Sequence, residues 1–89
     1  MIGSKEFKNL CEEFIRNYIN EHLDKTDINV EYDVYNVWYC KSLQNHKGLF
    51  SSSLPDGMYY ECTFNGDKKE LYIDAYKKFE NRSIYLGEE

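Results

Sequence analysis

Residues 37–64 read VWYCKSLQNHKGLFSSSLPDGMYYECTF, and this stretch decides the fold. It holds the single Trp (Trp38), the single Pro (Pro55), Cys40, Cys62 and His46. It overlaps residues 34–55, the longest run free of Asp and Glu. Apolar segments at both ends flank a polar middle, the pattern of antiparallel strands joined by turns. Gln44-Asn45-His46-Lys47-Gly48 is polar and contains Gly, so it reads as a turn. Leu49–Ser53 resumes as a strand. Leu54-Pro55-Asp56-Gly57 places Pro and Gly where a tight turn uses them. In Met58–Phe64 the alternation puts Met58, Tyr60, Cys62 and Phe64 on one side and Tyr59, Glu61 and Thr63 on the other.

Working outward, Asn65-Gly66-Asp67 is the strongest short hairpin signal, because Asn-Gly tolerates positive φ twice. The next strand turns Leu71, Ile73 and Ala75 toward a core, with Tyr72 and Asp74 facing away. Residues 76–86 fit either a strand extension or a helical turn, with Ile84, Tyr85 and Leu86 as a last apolar patch. Upstream, Ile28, Val30, Tyr32 and Val34 alternate with polar residues, and the phase slips near Tyr35. A one-residue slip turns over every following side chain. Two readings fit: a β-bulge, or, preferred here, a loose lead to about Asp33 followed by a first strand at about 35–42.

Residues Ser4–Asp24 form the clearest helix. Phe7, Leu10, Cys11, Phe14, Ile15, Tyr18, Ile19, His22 and Leu23 share one face at three-and-four spacing. Ser4 is the expected N-cap, with Glu6 in the first turn. No second helix of this strength exists to cover that face, so a sheet must do it. The expected class is α+β: one N-terminal amphipathic helix packed on a four-stranded antiparallel meander sheet. Residues 1–89 form a single domain, with the helix at about 4–24, the sheet at about 35–76 and a short C-terminal tail.

A chain of 89 residues supports one core, and its nine Tyr help to fill it. A net charge of −5 argues against direct nucleic-acid binding. Three Cys without a CxxC pair give no disulfide framework and point to a reduced, cytoplasmic setting. No apolar run approaches membrane-spanning length, so no membrane association is expected.

Three segments are distinctive in wording: KSLQNHKGL at 41–49, LPDGMYYE at 54–61 and LYIDAYKKFEN at 71–81. Through them the chain resembles a group of small phage and prophage proteins from Gram-positive bacteria, a domain of unknown function. The resemblance runs from the helix through Asn81. It implies a phage or prophage origin and a role in binding a host protein or a host signalling molecule. It carries no catalytic residues.

Lys41, Asn45, His46 and Lys47, with Ser51, Ser52 and Ser53 on the following strand, combine ammonium groups and hydroxyls suited to an anion such as phosphate. Tyr39, Tyr59, Tyr60 and Tyr72 flank them and could stack on a base or frame a partner. The plain alternative is a solvated hairpin. Cys40, Cys62 and His46 as nucleophile and base, or as zinc ligands, match no spacing and lack an orienting carboxylate. No cofactor or metal site is expected, and His22 reads as a core-edge residue. Glu12, Glu13, Glu21 and Asp24 share one side of the helix, which admits a weak acidic nucleic-acid mimic diluted by Lys8 and Arg16.

The expectation is therefore a small phage-type, non-enzymatic binding protein that inhibits a host protein, with antiviral defence as one target. The second expectation is a binder or sponge of a small anionic ligand such as a nucleotide signal. A shallow hairpin needs a second subunit to enclose a ligand, so homo-oligomerisation accompanies that second reading.

Overall fold

One stripe of the N-terminal helix builds the core. In α1 (Ser4–His22) the fully buried side chains are Phe7, Cys11, Ile15 and Ile19, four residues apart along the whole helix. Leu10 and Tyr18 flank the stripe half-buried, whereas Phe14 is 45% exposed. The apolar face is thus narrower than the spacing alone implied. His22 is exposed, stacked on Tyr18 at 4.2 Å, with Nδ1 2.8 Å from the Tyr18 carbonyl. The N-cap is Gly3 rather than Ser4. Gly3 is extended, its carbonyl accepts the Phe7 N–H at 3.0 Å, and no side chain caps the helix.

The computed structural model describes residues 2–23 and 31–87; Asp24, Ile28 and Val30, named above, lie outside them. Four strands follow the helix: β1 (Val34–Ser42), β2 (Asn45–Ser52), β3 (Met58–Asn65) and β4 (Glu70–Lys77). They pair antiparallel in sequence order, an open meander with α1 on one face. The α+β architecture is the expected one.

The phase slip has a structural cause. Asn36 pairs with Phe50 and Trp38 with Leu49, so Val37 is an extra residue bulged out of β1. The Asn36 side-chain amide stitches the bulge, donating to the carbonyls of Trp38 at 2.8 Å and Leu49 at 3.1 Å. Both readings of the slip hold in part: the strand begins at Val34 after an irregular lead, and the bulge follows it.

Two turns differ from expectation. The β1–β2 turn is Leu43-Gln44 alone, with Leu43 at φ 55°, and β2 starts at Asn45. Gly48 lies within β2. A Cβ there would stand 3.1 Å from the Phe50 ring and 3.2 Å from the Trp38 carbonyl, so this Gly serves close packing rather than a turn. The β3–β4 connection spans four residues, with positive φ at Lys69 (55°) instead of across Asn65-Gly66. The Asn65 side chain accepts the N–H groups of Asp67 and Lys68 and so shapes the turn from within. The Leu54–Gly57 turn is as expected, with Gly57 at φ 69° and Asp56 accepting the Met58 N–H.

The helix lies over β1, β2 and β3. Leu71 and Ile73 of β4 reach the core edge half-buried, and Ala75 is exposed. From Lys78 to Gly87 the chain is neither strand nor helix. Phe79, Ile84, Tyr85 and Leu86 are 94%, 73%, 79% and 91% exposed.

Candidate functional site

Directly opposed residues on neighbouring strands share a face. The register therefore assigns every strand residue to the helix-covered or the open face.

On the covered face, His46 pairs with Lys41 on one side and Phe64 on the other, beneath the start of the helix. It is 1% exposed. Its ring stacks on Phe7 at 5.2 Å, 20° from parallel. Nε2 lies 3.1 Å from the Ile2 carbonyl, which only accepts, so Nε2 carries the proton. Nδ1 then accepts the Tyr39 hydroxyl at 2.5 Å. Burial, with Cys40 nearby, pushes the Tyr39 phenol up. His46 ties the residues before the helix to the centre of the sheet, and nothing of it reaches solvent for catalysis.

The cysteines do not meet His46 as a catalytic set. Cys40 opposes Lys47 on the open face, the sheet lying between it and His46. Cys62 is buried on the covered face against Cys11, and the hydrogen bond to Cys62, followed by burial, pushes the Cys11 thiol up. That thiol stays protonated and inert. No cluster of three or more His, Cys, Asp or Glu stands ready for a metal among the described residues.

The residues named from sequence as one anion site divide in the structure. Lys41 lies on the covered face, and Lys47 lies on the open face 3.5 Å from the Glu61 carboxylate. Asn45 accepts the Gly66 N–H at 2.9 Å, bracing one hairpin end against the other. Ser51 is buried and donates to the Met58 carbonyl at 2.9 Å. Ser53 is joined to Asp33, accepting its N–H through Oγ and donating its own N–H to the Asp33 carbonyl. Ser53 lines a cavity of about 670 Å³ with Arg16, Asn20, Tyr32, Glu31 and Asp33, where two carboxylates oppose an anion. Tyr60 is core, its phenol pushed up to about 12 chiefly by burial. Only Tyr59 and Tyr72, with Lys47, share one accessible surface.

That surface is the open face of the sheet. Three rows cross it from β1 to β4: Tyr35-Ser51-Tyr59-Tyr76, then Trp38-Leu49-Glu61-Asp74, then Cys40-Lys47-Thr63-Tyr72. At about 4.8 Å between strands and about 7 Å between rows, they form a patch about 14 Å on a side. Tyr35, Trp38, Tyr72 and Tyr76 are 42–53% exposed, and Val37 of the bulge is exposed beside them. Leu49 and Tyr59 are half-buried at the centre, and the Lys47–Glu61 pair crosses it. The Tyr72 hydroxyl donates to Glu70, and that bond holds its phenol up.

A family model of unknown function matches residues 8–86, from the second turn of α1 to Leu86 in the exposed tail. The chain belongs to DUF6275. The match takes in all of the open face and all four buried helix residues except Phe7. No curated protein and no solved structure matches the chain. Family membership thus supplies no activity, and the surface itself is the guide to one.

Sequence reasoning found Tyr59 and Tyr72 but missed Tyr35, Trp38, Leu49 and Tyr76. The missing signal was the parity after Val37. Once the bulge is placed, Trp38 joins Leu49 and Tyr35 on the helix-free side.

Proposed function

We infer that this DUF6275 chain is a non-enzymatic binding protein that presents the helix-free face of its sheet to another protein. The observation that carries the reading is the cross-strand array of Tyr35, Trp38, Tyr59, Tyr72 and Tyr76 around Leu49. Tyr and Trp combine large apolar area with a polar edge and few rotatable bonds, and they are enriched at protein interfaces and their energetic centres. The Lys47–Glu61 pair within the array offers both charges to a partner. The resemblance to small phage and prophage proteins gives the reading its finer form: the partner is a host protein, antiviral defence proteins among them, and binding inhibits it.

The small anionic ligand reading has weaker support, because Lys41 and Lys47 stand on opposite faces and Lys47 is already paired. The nucleic-acid mimic is weaker again. Arg16 lies over the Tyr32 ring and Lys8 over the Tyr39 ring, and both cations stand on the same helix as Glu12, Glu13 and Glu21, which dilutes its acidity. No described helix is long and apolar enough to cross a membrane.

The test is affinity capture from host lysate with the wild-type chain and with Trp38→Ala/Tyr76→Ala. Loss of two aromatic anchors weakens an interface by about 100-fold or more, so a partner recovered by the wild type disappears with the variant. A partner recovered equally by both contradicts the reading.

A further inference from the structure

The two edges of the sheet are built differently. The β1 edge is interrupted by the Val37 bulge, and the Asn36 side chain occupies a Trp38 carbonyl within that strand. Bulges of this kind protect an edge from further pairing. The β4 edge has no such device. All eight residues from Glu70 to Lys77 pair regularly with β3, without a bulge or Pro, and the other side of the strand has no strand partner among the described residues.

The covered face is also incomplete at β4. Lys8 and Arg16 of the helix reach toward Tyr39 and Tyr32 on the β1 side. The opposite flank carries Leu10, Phe14 and Tyr18, and Tyr18 meets Tyr60 of β3 edge-on at 5.8 Å. Leu10 and Phe14 therefore overhang the β3–β4 side, where the helix stops short of the outermost strand. Leu71 and Ile73, half-buried on the covered face, form an apolar shelf along β4, and Phe14, 45% exposed, lies on the helix flank turned to that side. Near Leu71 the shelf adjoins a cavity of about 560 Å³ lined by Ile2, Gln44, Phe64, Gly66 and Lys69.

The same chain carries an apolar segment that packs on none of the described residues. Lys78 donates its N–H to the Gly57 carbonyl, and past it the arm's side-chain polar contacts are Arg82 to Glu80, within itself. Phe79, Ile84, Tyr85 and Leu86 stand in water. The Cα radius of gyration is 15.7 Å, against about 12 Å for a compact domain of this length. The arm reads Ile84-Tyr85-Leu86, which repeats the apolar-Tyr-apolar order of Leu71-Tyr72-Ile73 in β4. In β4 that order places the apolar residues on the covered face and Tyr on the open one.

We propose that residues 83–86 of one chain add as a fifth strand to the β4 edge of a second copy. Ile84 and Leu86 then lie on the shelf formed by Leu71 and Ile73, on the side to which Phe14 is turned. Strand addition satisfies the free backbone groups of β4, and alternate side chains supply the fit. Exchange of the two arms is reciprocal, so it closes as a two-fold dimer. The arm extends away from its own β4, so the second copy is the occupant it can reach without reversing. Tyr85 joins Tyr72 at the margin of the open face and leaves the central array free, so this proposal stands independently of the binding reading above.

Native mass spectrometry and sedimentation equilibrium on the full chain test it. The wild type is expected as a dimer of 10.7 kDa chains. Ile84→Asp/Leu86→Asp removes two buried apolar contacts and weakens dimerisation at least about 100-fold. Phe14→Glu, on the shelf side, acts in the same direction, while Trp38→Ala/Tyr76→Ala leaves the dimer intact. A wild type that stays monomeric at every concentration overturns the proposal. A dimer unaffected by both the arm and the shelf variants also overturns it. So does a monomer that melts earlier with Ile84→Asp/Leu86→Asp, because that result assigns the arm to its own chain.

Discussion

The two faces of this sheet are made from the same residue types and do different work. The covered face sets Phe50, Tyr60, Cys62 and His46 against Phe7, Cys11, Ile15 and Ile19, and among the described residues no buried side-chain N or O lacks a partner. The open face leaves Tyr35, Trp38, Leu49, Tyr59 and Tyr76 without a covering layer among the described residues. An aromatic residue on the first face is held from all sides. One on the second touches only its cross-strand neighbours, worth about 0.2–1 kcal/mol each. Aromatic content by itself therefore says little; the parity of the position decides whether a ring is packed into the core or stands exposed on the open face.

The sharpest way to break the comparison is to truncate the covered face. Phe50→Ala leaves a cavity between α1 and β2 and is expected to cost about 3–5 kcal/mol, read from the urea midpoint. His46→Ala comes next. It orphans the Tyr39 hydroxyl and the Ile2 carbonyl, and about 2–4 kcal/mol is expected from two lost buried hydrogen bonds. A His46→Ala chain as stable as the wild type would free that residue for a functional role.

Titration probes the same face. The Tyr60 phenol is raised from its ordinary 10 to about 12, so the neutral form is favoured in the fold. The associated stability is fully present below pH 10 and is lost as pH rises toward 12. At about 1.4 kcal/mol per unit, the loss amounts to about 2–3 kcal/mol. Tyr60→Phe should flatten the stability profile across this window. Alkaline unfolding that is unchanged in Tyr60→Phe would show that another group governs it.

Much of this arrangement was legible in the chain. Phe7, Cys11, Ile15 and Ile19 announced the helix, and Met58, Tyr60, Cys62 and Phe64 announced the covered face of β3, because periodicity alone fixes both. Gly48 was misread because Gly is ambiguous between a turn and a strand position with no room for a Cβ. The Phe50 ring that fills this room lies only two residues on, yet it comes close only through the fold. The proposed anion site failed to assemble for a similar reason. Lys41 and Lys47 are close along the hairpin, but the tight Leu43-Gln44 turn sends them to opposite faces. The exposed tail was left between strand and helix by its sequence, and within a single chain it adopts neither.

The central claim is that the open aromatic face is not needed to hold the fold together. It is tested most directly by the urea unfolding free energy of Trp38→Ala/Tyr76→Ala. A loss of no more than about 1–2 kcal/mol is expected, the sum of a few cross-strand contacts. A loss as large as that of Phe50→Ala would mean that these rings belong to the core and that the open face is not a binding surface.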